Sequence, residues 1–218
     1  MSKLVGAGVY DVQEIAYLLG VRSELVIKWA REDLRGRPPI VAPSFERAFS
    51  FSDLVALWVS LTLRNRGVPE KDLRLGIQNL RESSGIVHPF TVKWIVDSIA
   101  TSGSSFLLNQ EGNWYDLGKG KQGAFTNVVS IWLKHLVWNE VGSVSQWHPA
   151  PRILIDPGIQ AGSPCIEGTR VPTSVIFELA EEESIDEIAY DLELSIDQVE
   201  SAVSFETALA NGKGLIAA

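Results

Sequence analysis

The sequence predicts an α+β fold, mainly α, built from three units: a winged helix-turn-helix, a small tryptophan-rich α/β middle, and a β-hairpin followed by a second helix-turn-helix. Three observations carry that expectation. Apolar residues recur at helical spacing behind capping signals in residues 1–90 and again near the C-terminus. Short apolar runs between turn formers fill residues 91–150. Five of the seven tryptophans, Trp94, Trp114, Trp132, Trp138 and Trp147, fall in that middle stretch.

In the first unit, Asp11-Val12-Gln13-Glu14 is a capping box, in which the two acidic side chains satisfy each other's backbone N–H groups. Val12, Ile15, Ala16 and Leu19 follow on one helical face, and Gly20 supplies the positive φ that ends the helix. Ser23 is placed to cap a second helix with Val26, Trp29 and Ala30 inward, which completes a helix-turn-helix. A basic, turn-rich stretch, Leu34-Arg35-Gly36-Arg37-Pro38-Pro39-Ile40, comes next. Ser50-Phe51-Ser52-Asp53 then opens a third helix with Leu54, Leu57, Trp58, Leu61 and Leu63 on a broad apolar face. Residues 65–69 stop it, and a fourth helix is predicted over about 70–82 with Leu73, Ile77 and Leu80 inward.

The middle unit, residues 91–150, is predicted to hold one more helix over 91–99 and short strands at 106–108, 114–117, 130–138 and 143–147. Asn109-Gln110-Glu111-Gly112-Asn113 reads as a hairpin turn. The tryptophans either line a ligand pocket or fill the core of a unit too small to make one from aliphatic residues. Pro149-Ala150-Pro151 reads as a stiff linker to the last unit, residues 151–218. There Ile153-Leu154-Ile155 predicts a strand and Asp156-Pro157-Gly158 a turn. Cys165-Ile166 and Thr169-Arg170-Val171 flank Glu167-Gly168 as a hairpin. Ser184-Ile185-Asp186-Glu187 and Ser195-Ile196-Asp197-Gln198 open two capped helices, with Ile185, Ile188, Ala189, Leu192 and then Val199, Ala202 and Val203 inward. Residues 211–218 are small and Gly-containing, which predicts a frayed end.

Charge is unevenly spread. The net charge is −8, yet residues 1–90 carry 12 Lys/Arg against 10 Asp/Glu, whereas residues 151–218 carry 3 against 13. Contact with nucleic acid is therefore expected in the first third, with the acidic last third facing solvent or a basic partner. One cysteine, Cys165, excludes an intramolecular disulfide, and no apolar run approaches membrane-spanning length. The expected setting is the cytoplasm, with no membrane contact.

The catalytic and metal-binding classes find little support. His88, His135 and His148 are too widely spaced for a local metal motif, and no phosphate loop or nucleophile elbow is present. Cys165 lies in an apolar Pro-Cys-Ile run and is expected to be packed. Glu167 and Arg170 are expected to fix a hairpin, and Glu181-Glu182-Glu183 to be a solvated helix end. No cofactor, metal or catalytic residue is predicted.

Two resemblances sharpen this reading. The helix-turn-helix, the basic loop and the Arg47-Ala48-Phe49-Ser50-Phe51-Ser52-Asp53-Leu54 helix start, with Gly67-Val68 and the helix beyond, resemble the winged helix of the MerR superfamily over about residues 9–82. That resemblance implies a second helix in the major groove offering Arg22, Ser23, Glu24, Ile27, Lys28 and Arg31, and a wing offering Arg35, Arg37 and Arg47. This chain has Ile27-Lys28-Trp29 where the superfamily has an Arg-Tyr-Tyr run, so one phosphate contact is lost. Arg152 to Pro157, Gly162 to Ile166, Gly168 to Pro172 and the two capped helices resemble the DUF433 family over about residues 151–209. The combination looks like a VapB-type antitoxin. That likeness implies neutralisation of a PIN-domain ribonuclease toxin and repression of the chain's own promoter through operator DNA. A palindromic operator implies a homodimer, with Gly168, Thr169, Arg170 and Val171 as the expected pairing edge. The alternative is a MerR-like transcriptional regulator sensing a small molecule in the tryptophan-rich middle.

Overall fold

The computed structural model describes residues 6–122, 128–130 and 135–216. Trp132 lies outside the described residues. The architecture is mixed α+β, with eight α-helices and two small antiparallel sheets among the described residues.

The head begins with α1 (Val12–Leu19) and α2 (Ser23–Trp29). The Asp11/Glu14 capping box is formed, and Gly20 ends α1 in the left-handed region at φ 62°. Ser23 does not cap α2: it is the first helical residue, and Arg22 holds the cap position with no side-chain bond. The long helices α3 (Phe51–Asn65) and α4 (Glu70–Ser84) follow, α3 opened by a Ser50/Asp53 capping box. No strand pair forms between α2 and α3; only an isolated bridge joins Tyr10 to Phe49. The expected wing is thus an irregular loop.

In the middle, α5 (Lys93–Ser98) runs directly into β1 (Ile99–Ser102); the helix predicted over 91–99 takes in the strand's first residue and leaves residues 100–102 unassigned. With β2 (Ser105–Gln110), β3 (Asn113–Asp116), β4 (Lys121–Gln122) and β5 (Val129–Ser130) it forms a sheet in the order β4-β3-β2-β1-β5. Helix α4 packs on β2 at Gly76, where a Cβ would lie 2.5 Å from a Phe106 ring carbon. A mid-helix glycine costs about 1 kcal/mol in propensity; here it admits an aromatic ring against the helix backbone.

Of the strand predicted over 130–138, residues 131–134 lie outside the described residues, and its two ends belong to different sheets. β6 (Leu136–Trp138) belongs to the second sheet, with β7 (Val144–Ala150), β8 (Ile153–Ile155) and β9 (Cys165–Ile166), in the order β6-β7-β8-β9. Pro149-Ala150-Pro151 is consequently no linker. It is the end of β7 and the start of a tight turn, with Ala150 paired to Ile153. The sheet runs across residue 150 without a break. Thr169-Arg170-Val171 forms no strand; Ile166 donates to the Val171 carbonyl, and a lone bridge joins Cys165 to Pro172.

Helices α6 (Thr173–Leu179), α7 (Ile185–Asp191) and α8 (Ile196–Ala210) complete the tail. α7 and α8 carry the two expected capping boxes. α6 escaped the sequence reading because its first turns are Thr-Ser-Val-Ile-Phe, residues of low helix propensity behind a proline cap. Of the end predicted to fray, residues 217–218 lie outside the described residues, while 214–216 form a 3-10 turn in which the Leu215 carbonyl accepts from Trp58 Nε1 at 3.1 Å. One continuous apolar cluster runs from Tyr10 through α3 to Leu215. Near its centre Trp58 packs against Trp147, ring centroids 4.5 Å apart and planes tilted by 40°.

Candidate nucleic-acid interface

Helix α2 buries Val26 and Trp29 and turns Arg22, Glu24, Ile27 and Lys28 outward. Ser23 is half-buried. Arg31 follows the helix and is exposed, as are Arg35 and Arg47. Arg31 and Arg47 line one groove of about 420 Å3 with Ile27, Phe45 and Phe49, between α2 and the chain entering α3. This groove brings together an expected helix residue and an expected loop residue.

Two other expected contacts are already engaged. Lys28 Nζ lies 2.6 Å from Glu70 on α4. Burial pushes Glu70 upward, but Lys28 and Arg74 outweigh it and hold the carboxyl below its ordinary value. Arg37 Nε donates to Asp33 at 2.6 Å, and that bond leads the causes that hold the Asp33 carboxyl down at about 2. Asp33 Oδ1 also accepts the backbone N–H groups of Arg35 and Arg37. Arg37 is therefore a brace of its own loop.

The loop between α2 and α3 is built from its neck. Ile40 and Val41 both donate to the Trp29 carbonyl, at 2.9 and 3.3 Å. Arg74, fully buried on α4, donates to the carbonyls of Arg31 (2.9 Å), Pro38 (2.8 Å) and Lys28 (3.0 Å). Arg81, two turns along the same face, donates to Pro39 and Ile40. Buried carbonyls outside regular structure need such donors, and a planar guanidinium serves several at once. Farther along, Asp53 Oδ2 takes the N–H groups of Ser44 and Ser50 and the Ser50 hydroxyl. His88 Nε2 stands 3.5 Å from the other Asp53 oxygen. Arg74, Arg81, Asp53 and His88 all escaped the sequence reading as site residues. The available signal was the spacing of Glu70, Arg74, Ile77 and Arg81, which sets charged residues on an apolar helical stripe.

The remaining expectations resolve as follows. Among the tryptophans, Trp147 is core, Trp94 is exposed and Trp114 and Trp138 are half-buried. None of these four lines the groove between α2 and the chain entering α3. Cys165 is buried, its thiol pushed up to about 11 by desolvation. His148 lies 3.9 Å from Glu167, and His135 is exposed. Glu181, Glu182 and Glu183 are exposed in the turn after α6. Gly168, Thr169, Arg170 and Val171 lie in a turn against β9, so the strand edge expected to pair copies is not formed by them. Among the described residues no three His, Cys, Asp or Glu side chains are grouped to hold a metal ion. Nor is any described helix long and apolar enough to cross a membrane.

Head and tail meet along polar contacts that no sequence pattern announced. Tyr10 donates to the Gly162 carbonyl at 2.7 Å, and Tyr17 to Glu206 at 2.9 Å. Burial and Glu206 push the Tyr17 hydroxyl up to about 12. Glu206, buried on α8, also accepts from Thr173.

The protein defined by this geometry is a helix-turn-helix head fused by a shared core to a β-sheet and three-helix tail. Residues 153–205 match the family described as "Protein of unknown function (DUF433)". The fold is similar to that of an X-ray crystal structure of Rv2018 from Mycobacterium tuberculosis, with a TM-score of 0.63 and 17% identity, covering 89% of this chain and 96% of that one. At that identity the likeness is one of fold. No curated protein matches the chain.

Proposed function

We propose that the chain is a DNA-binding antitoxin: it reads operator DNA with the head, represses its own promoter, and neutralises a PIN-domain ribonuclease through its acidic tail. The observation that supports this best is the row of exposed cations around α2. Arg22 sits at its start, Arg31 just beyond its end, and Arg47 across the groove from Arg31. A helix presented beside a braced loop suits a major groove with phosphates on either side. The MerR-like and VapB-type resemblances of the sequence support the same reading. A homodimer in the cytoplasm, set on a palindromic site, goes with it.

The test is fluorescence anisotropy with duplex DNA from upstream of the chain's own coding sequence, titrated with salt. Arg31→Ala and Arg47→Ala should each weaken binding and lower the salt slope by about one. Lys28→Ala should change the slope less, because Lys28 is already paired to Glu70. Binding by wild type that is no tighter than to unrelated DNA would refute operator reading. Failure of the neighbouring PIN-domain protein to copurify would refute the antitoxin role.

A further inference from the structure

The loop after α2 carries an apolar side chain where solvent normally selects against one. Leu34 is fully exposed, at 108% of its reference surface, the most exposed large apolar residue described. A flexible tip would make this unremarkable, but the tip is braced. Gly36 donates to the Asp33 carbonyl at 3.0 Å, Asp33 donates to the Arg37 carbonyl at 3.1 Å, and the Asp33 carboxylate holds Arg35 and Arg37. Gly36 takes the positive φ, 71°, that the turn requires. Below it the neck is clamped by Arg74 and Arg81. The loop is therefore ordered before any partner arrives, and the entropy of fixing it is not charged to binding.

Arg35 is exposed beside Leu34, while the carboxylate of Asp33 is taken up by Arg37; Glu32 and Glu46 are the other acids between α2 and α3, and both are exposed. An apolar tip flanked by arginine suits the DNA minor groove, whose negative potential attracts arginine and whose base steps are parted by apolar wedges.

We propose that Leu34 is a minor-groove wedge: with α2 in the major groove, it inserts at a neighbouring base step, Arg35 lies along the groove, and the duplex bends toward the major groove. This rests on the DNA-reading function proposed above. A flexible pyrimidine–purine step is the favoured point of insertion.

The experiment uses the full chain and 30-base-pair duplexes that wild type selects from a random pool, with bending read by end-to-end energy transfer. Because Leu34 is bare to solvent, Leu34→Ala leaves the fold intact. It should bind about tenfold more weakly, bend the duplex less, lose preference for a pyrimidine–purine step, and keep the wild-type salt slope. Arg35→Ala should lower that slope by about one. Leu34→Ala that binds and bends like wild type overturns the wedge and leaves DNA reading standing. If Leu34→Ala weakens capture of the PIN-domain protein alone, Leu34 is a protein contact and the wedge is wrong. Wild type that selects no duplex refutes DNA reading and the wedge together.

Discussion

Arg74→Met tests whether the loop after α2 depends on a guanidinium buried beneath it. The substitution keeps most of the volume but removes the donors to the carbonyls of Lys28, Arg31 and Pro38, at 2.8–3.0 Å. Each orphaned carbonyl costs about 1–3 kcal/mol if water cannot replace the bond. Glu70 loses a partner at 3.3 Å but keeps Lys28. The neck lies near the surface and water reaches part of it, so the total should approach the value for breaking a buried pair, about 3–5 kcal/mol. In a chain of 218 residues that lowers Tm by about 10 °C. The loss should also be local. Amide exchange at Ile40 and Val41, whose N–H groups close the neck on Trp29, should accelerate more than exchange in α8. Arg74→Lys, a single ammonium unable to span three carbonyls, should fall between the two. A Tm for Arg74→Met within about 2 °C of wild type, with unchanged exchange at residues 40 and 41, would refute the clamp.

Other expectations follow from particular contacts. Gly76→Ala improves helix propensity yet should destabilise by about 1–3 kcal/mol, since the new methyl meets Phe106; a gain in urea midpoint would show that the ring moves freely. Burial lowers the pKa of His88 below its ordinary 6.5, Asp53 opposes the shift and Arg81 adds to it. The unfolded chain then takes up the proton first, so this contribution to stability is present above pH 6.5 and is lost as pH falls through the lower folded value. His88→Gln should flatten urea stability over that acid window, and an unaltered slope would remove His88 as its source. Ending the chain at Asn211 removes Leu215 and its bond to Trp58, so tryptophan emission should shift to the red and Tm should fall; identical spectra would mean that the tail is dispensable. Changing Glu181, Glu182 and Glu183 to Gln should slow association with the PIN-domain protein several-fold at low salt while sparing dissociation. Equal on-rates at every salt would leave the run a solvated turn.

Local, chemically encoded features were legible in the sequence. Four capping boxes, at Asp11, Ser50, Ser184 and Ser195, are formed because each needs only residues three apart. The left-handed end at Gly20 is equally local. What escaped depends on distant partners. β1 is a strand because β2 and β5 flank it, and nothing within its own four residues says so. Pro149 read as linker chemistry, yet the neighbouring strands make it part of β7. At the candidate site, the exposed cations were readable as basic residues. Which of them were already engaged was not: Lys28 meets Glu70 from 42 positions away. Likewise Arg74 and Arg81 counted toward a basic head, although their charge is turned inward onto carbonyls.

The meeting of Gly20 and Gly214 bears on how such a protein can be rearranged by recombination. A Cβ on Gly214 would lie 2.4 Å from the backbone of Leu19, and one on Gly20 would lie 2.7 Å from Gly214 itself. The turn between α1 and α2 therefore touches the 3-10 turn at Gly214–Ile216, backbone to backbone. The stretch recognisable by family likeness, 153–205, lacks that final turn and also lacks β6 and β7, which complete its sheet. A gene fusion or swap cut at those borders would carry off neither a closed sheet nor a covered core. In this lineage the tail is expected to be inherited with its head, and glycine to be kept at both positions 20 and 214, since a side chain at either would meet backbone.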